Sequence, residues 1–137
     1  MYSPKFADFE VCAKRGNLIP VYREILADLE TPVSVLKKIR HKRHAYLLES
    51  VEGGEKWGRY SFIGTNAEIV FRIRGPKVIL EEKGKIFETE HRGDPLGRMR
   101  ELLGRYRPVV PPGLPRFFGG AVGYLGYDTV RYFEKLP

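Results

Sequence analysis

Leu47-Leu48-Glu49-Ser50-Val51-Glu52-Gly53-Gly54-Glu55-Lys56-Trp57-Gly58-Arg59-Tyr60-Ser61-Phe62-Ile63-Gly64 reads as two strands joined by a glycine turn. The first predicted strand, residues 45–51, is apolar until Glu49 and Ser50 interrupt it. The second, residues 59–63, alternates polar with aromatic or aliphatic residues, the period-two pattern of a half-buried strand. Between them Gly53-Gly54 supplies the positive φ angles that a tight return needs. A carboxylate, a hydroxyl, an indole, a guanidinium and bare backbone thus gather around one hairpin, in Glu49, Ser50, Trp57, Arg59 and Gly58. That set suits a small zwitterion. The residue types alone favour a hairpin whose polar residues face water.

Upstream of the hairpin the chain predicts two helices, each opened by a capping residue and a proline. Ser3-Pro4 starts one, with Phe6, Phe9 and Ala13 on one face and Gly16-Asn17 as its end. Residues 18–26 are extended, with Pro20 confining them to an edge or a strand start. Thr31-Pro32 opens the second helix, which runs to about Arg40 with Val33, Leu36 and Ile39 along a buried stripe. The cluster Lys37-Lys38-Ile39-Arg40-His41-Lys42-Arg43-His44 forms its last turn and exit, where positive charge complements the helix dipole.

Downstream, residues 67–74, 77–82 and 85–90 alternate as an antiparallel meander, turned at Gly75-Pro76 and Lys83-Gly84. Asp94-Pro95 repeats the cap-and-proline device for a helix to about Tyr106, burying Leu96, Met99, Leu102 and Leu103. Residues 108–115 hold four of the ten prolines and can only connect. Phe117-Phe118-Gly119-Gly120-Ala121-Val122-Gly123-Tyr124-Leu125-Gly126-Tyr127-Asp128 has neither the G-x-G-x-x-G nor the Gly-Lys-Ser/Thr spacing of a phosphate loop. It is read as a central strand packed closely by neighbours, leading into a short helix over 128–134. The sequence stops without a closing element, which suggests a cut through a larger protein. The fold class predicted is α+β, a mostly antiparallel sheet with two to four helices.

Composition narrows the function. At 137 residues and 42% hydrophobic the chain can bury a core of one domain. No apolar run approaches a membrane span, and the N-terminus has no signal-peptide core. The single cysteine, Cys12, excludes an internal disulfide and a multi-cysteine metal site, and its apolar surroundings predict a buried thiol. No membrane association and a cytoplasmic location are expected. The net charge of +7 is locally dense only over residues 37–44, and no nucleic-acid-binding signature accompanies it, so no nucleic-acid partner is expected. His41, His44 and His91 lie in charged contexts without metal-ligand spacing and are read as exposed loop residues. No catalytic constellation is self-contained, and no cofactor or metal is expected in this chain.

Four segments carry a family resemblance: residues 18–25 (Leu-Ile-Pro-Val-Tyr-Arg-Glu-Ile), 28–34 (Asp-Leu-Glu-Thr-Pro-Val-Ser), 47–64 and 117–128, as quoted above. Together, and in order, they resemble the N-terminal region of anthranilate synthase component I. The sister family, aminodeoxychorismate synthase component I, shares the architecture and the last motif; the full Leu-Leu-Glu-Ser-Val-Glu-Gly-Gly form favours the former. The resemblance implies a part of the layered α/β sandwich of chorismate-utilising enzymes. It also implies a place in a lyase that makes anthranilate and pyruvate from chorismate and glutamine-derived ammonia, the first committed step of tryptophan biosynthesis. Magnesium and the catalytic residues belong to the C-terminal chorismate-binding half, so this chain carries none of them. The implied partners are that C-terminal half, a glutamine amidotransferase subunit and L-tryptophan as feedback inhibitor. Carried onto this sequence, the inhibitor pocket falls on Glu49, Ser50, Trp57, Gly58, Arg59 and Tyr60. Ser50 would hydrogen-bond the ligand's polar head. Glu49 would offset its ammonium or pair with Arg59, and Arg59 would meet the carboxylate bidentately. Trp57 and Tyr60 would wall the indole. A stand-alone amino-acid-sensing module is the alternative of a different class.

Overall fold

A computed structural model describes residues 1–40, 43–49 and 60–135. Among these lie helices α1 (Phe6–Ala13), α2 (Pro32–Ile39) and α3 (Pro95–Leu103), and a 3-10 helix (Tyr127–Tyr132). The strands are β1 (Ala45–Leu48), β2 (Phe62–Thr65), β3 (Ile69–Arg74), β4 (Lys77–Glu82) and β5 (Lys85–Glu90). They form two sheets, β1-β2 and β3-β4-β5, and the class is α+β as the periodicity predicts. The chain divides into two compact units. One comprises Met1–Ile25, Phe71–Ile79 and Glu88–Pro137, the other Leu26–Val70 and Leu80–Phe87.

The meander strands end and begin at the predicted turns, while β3 starts at Ile69, two residues later than predicted, and the turns are dictated residue by residue. Gly75 takes φ +55°, and Lys83 and Gly84 both take positive φ, which is the two-residue turn geometry that follows the right-handed twist of a hairpin. Asn66 makes the bend after β2 at φ 57°. Lys77 and Glu88 form an ion pair at 2.5 Å within this sheet, and the carboxylate raises the lysine's proton affinity.

In the second unit, α2 starts as its sequence dictates. Ser34 N–H donates to Thr31 Oγ1 at 3.1 Å, and Thr31 N–H donates to Ser34 Oγ at 3.0 Å, a reciprocal cap with Pro32 in the first turn. Lys38 and the Ser34 hydroxyl both donate to the Glu30 carboxylate. The Lys38 bond, and then that of Ser34, hold Glu30 below the usual carboxylate range. A lowered folded-state pKa means that this link stabilises above the unfolded value of about 4.3 and is lost as pH falls through the lowered one. A small part of the α2 amide-exchange protection is therefore expected to be lost in that acid range, and Glu30→Gln should remove this pH dependence. Lys38 is 64% exposed, so the effect is small and shrinks with salt.

In the first unit the end of α1 is latched to the segment after α3. Asn17 Nδ2 donates to Arg105 O at 2.7 Å, and its Oδ1 accepts from Arg107 N–H at 2.6 Å. Leu18 and Val109 continue the contact through a backbone bond of 2.9 Å. Helix α3 is capped by the Asp94 carboxylate, which accepts from Gly97 N–H at 2.7 Å.

Several expectations are corrected. Ser3-Pro4 does not cap α1: Ser3 pairs with Tyr22 in an antiparallel bridge, with both its backbone groups engaged, and α1 starts after Lys5. The α2 stripe is not buried, Val33 and Ile39 being 46% and 40% exposed. Helix α3 ends at Leu103, which is exposed, while Leu102 is buried and Leu96 and Met99 are half-buried. Cys12 is half-buried rather than enclosed. Residues 117–126 belong to no strand, and nothing lies within 4 Å of where a Cβ on Gly119, Gly123 or Gly126 would point. A glycine-rich segment offers no side chains to pack, so it becomes a strand only when another backbone lies beside it. His91 is no solvated loop residue: its ring stands edge-on to Tyr132 at 5.1 Å, Nε2 lies 3.0 Å from Gly75 O, and Nδ1 accepts from Gly93 N–H. That acceptor role leaves Nε2 as the protonated nitrogen and donor to Gly75. His44 is also half-buried, its Nε2 closed to solvent with no hydrogen-bond partner among the described residues. His41 lies outside the described residues.

Candidate functional site

The site is built on the β1-β2 ladder. The two strands run antiparallel, with Ala45 opposite Thr65, Tyr46 opposite Gly64, Leu47 opposite Ile63 and Leu48 opposite Phe62. Helix α2 packs against both. The residues immediately beyond the last pair are Glu49 and Ser61. Ser61 Oγ donates to Glu49 Oε1 across the strands in a long hydrogen bond of 3.5 Å. Tyr60 follows, 47% exposed, its ring inclined 30° to that of Phe62 at 6.1 Å between centroids.

Two of the predicted site residues, Glu49 and Tyr60, are therefore brought to the same end of one sheet. Ser50, Trp57, Gly58 and Arg59 lie outside the described residues, as does the Gly53-Gly54 turn. A carboxylate held beside a hydroxyl can receive an ammonium, since charged acceptors form the stronger hydrogen bonds. Two shallow surface depressions lie in the same unit, about 340 Å³ lined by residues that include Glu68, Glu81 and Lys83, and about 450 Å³ over Leu26 to Glu30. Neither is lined by Glu49 or Tyr60. Among the described residues no three His, Cys, Asp or Glu side chains converge as metal ligands. Among the same residues no helix is long and apolar enough to cross a membrane.

Three residues at this ladder escape a reading by residue type: Ser61, which orients Glu49, and the facing pair Tyr46 and Gly64. The signal was present in Gly64 itself, a glycine inside a strand pattern of Phe62, Ile63 and Thr65, since such a glycine marks a close approach.

Comparison with known proteins adds a second line. The chain is 43% identical over all of its 137 residues to an anthranilate synthase component 1 from Acetivibrio thermocellus, and covers 28% of that protein. Its identity to the protein of the same name from Pseudomonas putida is 49% over 119 residues, and to that from Aquifex aeolicus 46% over 123, covering 24% of each. The chain is related to anthranilate synthase component 1. It spans about a quarter of the length of the curated anthranilate synthase relatives it matches. No family model matches the chain, and no solved structure matches it significantly.

Proposed function

We propose that this chain is the N-terminal, regulatory portion of an anthranilate synthase component 1, and that the open end of the β1-β2 ladder contributes to a feedback site for L-tryptophan. The observation that carries the reading is the identity of 43–49% to proteins of that name, spread over nearly the whole chain. The exposed carboxylate of Glu49 beside Ser61 is consistent with holding the ammonium end of an amino acid.

In this reading the remaining three-quarters of the relatives' length supplies the chorismate site, the magnesium and the catalytic groups, and an amidotransferase subunit supplies ammonia. The apolar surface left open supports a covering partner. Tyr124 and Tyr127 are 94% and 91% exposed, and Leu125 and Phe133 are exposed beside them in the chain. Apolar groups in such numbers are costly to leave in water, and contiguous patches of them mark interfaces.

The test is anthranilate formation from chorismate, ammonia and magnesium. The 137-residue chain alone is expected to give no product, and the intact polypeptide that carries it to give product that L-tryptophan suppresses. In that polypeptide Glu49→Gln should raise the half-inhibitory tryptophan concentration by about tenfold, the worth of one charge-assisted hydrogen bond. Turnover by the short chain, or inhibition indifferent to Glu49→Gln, would count against the assignment.

A further inference from the structure

The β1-β2 ladder is short, and burial does little to hold its register. Leu48 is 45% exposed, Ala45 is exposed, and the other residues of the two strands are half-buried, so neither face is sealed. Register is weakly specified when no face is buried. A slip by one residue would turn β1 over, but a slip by two keeps every side chain on its face. Such a slip would set Tyr46 against Phe62 or Leu48 against Gly64, and aromatic and aliphatic residues pair well across strands. Hydrophobicity therefore does not choose between these arrangements.

One pair does choose. Tyr46 directly faces Gly64, and its ring lies across the glycine so closely that a Cβ there would clash with Tyr46 Cε1, Cζ and Oη. Any side chain at position 64 would have to displace that ring, and Gly64 is the one residue of β2 whose bare backbone lets the ring lie flat across the strand, since Phe62, Ile63 and Thr65 all carry branched or aromatic side chains. An aromatic side chain covering a glycine on the neighbouring strand is a recognised way to pin register.

The consequence lies at the end of the ladder. Glu49 and Ser61 are in reach of each other because Leu48 faces Phe62. A shift by two in one direction sets Glu49 opposite Ile63; in the other it sets Leu47 opposite Ser61. Either removes the hydroxyl from the carboxylate. We propose that Tyr46 and Gly64 are positioning residues for the amino-acid site: the ring-over-glycine pair pins the register that presents the Glu49 carboxylate, with Ser61, to the ligand's ammonium group. This rests on the ligand site proposed above and adds what sets its selectivity.

The experiment compares two ligands in the intact polypeptide, L-tryptophan and indole-3-propionate, which keeps the ring and the carboxylate but lacks the ammonium. Dissociation constants are measured by calorimetry for the unaltered protein, for Gly64→Ala, and for the reciprocal exchange Tyr46→Gly with Gly64→Tyr, which rebuilds the pair with the ring on the other strand. Gly64→Ala is expected to weaken L-tryptophan by about tenfold or more, as for a lost charge-assisted hydrogen bond, and indole-3-propionate by less than about twofold. The reciprocal exchange should restore the preference for L-tryptophan. Equal weakening of both ligands, or no weakening, overturns the positioning role while leaving the site in place. Failure of the unaltered protein to bind L-tryptophan overturns the site, and this inference with it. If Gly64→Ala does not fold, the reciprocal exchange decides: loss of the preference in a folded exchange variant overturns the proposal.

Discussion

Replacing Gly16 by alanine will destabilise the first unit by about 1–3 kcal/mol, the usual cost of forcing extra volume into a packed site. Gly16 is buried at the end of α1. A Cβ there would press into the Arg107 carbonyl oxygen and come within 2.6 Å of Val109 Cγ2. The obstacle is backbone, so it cannot swing away as a long side chain would. It is also tied in place. Arg107 O accepts from Asn17 N–H at 3.1 Å, Arg107 N–H donates to Asn17 Oδ1, and Val109 N–H donates to Leu18 O. Relieving the clash means breaking some of those bonds, each worth about 0.5–1.5 kcal/mol net. Urea unfolding should show a lower midpoint at an unchanged slope. An unchanged midpoint would mean that residues 105–109 yield without cost.

Leu102→Ala should cost about 2–4 kcal/mol, while Leu103→Ala costs less than about 1 kcal/mol. The two leucines are neighbours in sequence and were expected to be buried together. In the structure Leu102 is 8% exposed and Leu103 is 45% exposed. With Val78 at 4%, Leu102 is one of only two buried large apolar side chains among the described residues. Truncating it removes its transfer free energy and leaves a void beside a thin core, where little else compensates. The same unfolding series checks both variants, and equal losses at the two positions would contradict the burial pattern.

Much of the fold was legible because local chemistry decides it. Thr31-Pro32 and Asp94-Pro95 start helices by satisfying the free amides of a first turn with their own side chains, a preference that needs no distant partner. Lys83-Gly84 closes its hairpin through positive φ angles that glycine accepts freely. The pairing of residues 45–51 with 59–63 was likewise visible as two apolar runs with a turn between, although the described ladder pairs 45–48 with 62–65, so the second strand runs two residues past its predicted end.

The candidate site was legible only as a collection of residue types. Glu49 and Tyr60 could be named from the motif, but their common position depends on which residue of β1 faces which residue of β2. That register rests on a contact of volumes, the Tyr46 ring against the bare Gly64 backbone, and a one-dimensional pattern does not record volumes. Ser61 escaped for the same reason: its hydroxyl matters only because the ladder delivers it to Glu49.

By itself, then, the amino-acid order determined the elements, their caps and turns, the absence of an internal disulfide and, through its motifs, the family. Caps, turn angles and strand alternation follow from interactions a few residues apart, and these are written directly in the chain. The tertiary structure alone decided that Ser3 pairs with Tyr22 instead of capping a helix, that Leu102 is buried and Leu103 is not, and that the Gly119–Gly126 segment is no strand. It alone set Glu49 beside Ser61. Each of these depends on whether a second, distant stretch of chain arrives to supply a hydrogen-bond partner or to exclude water, and residues far apart in sequence carry no local mark of that meeting.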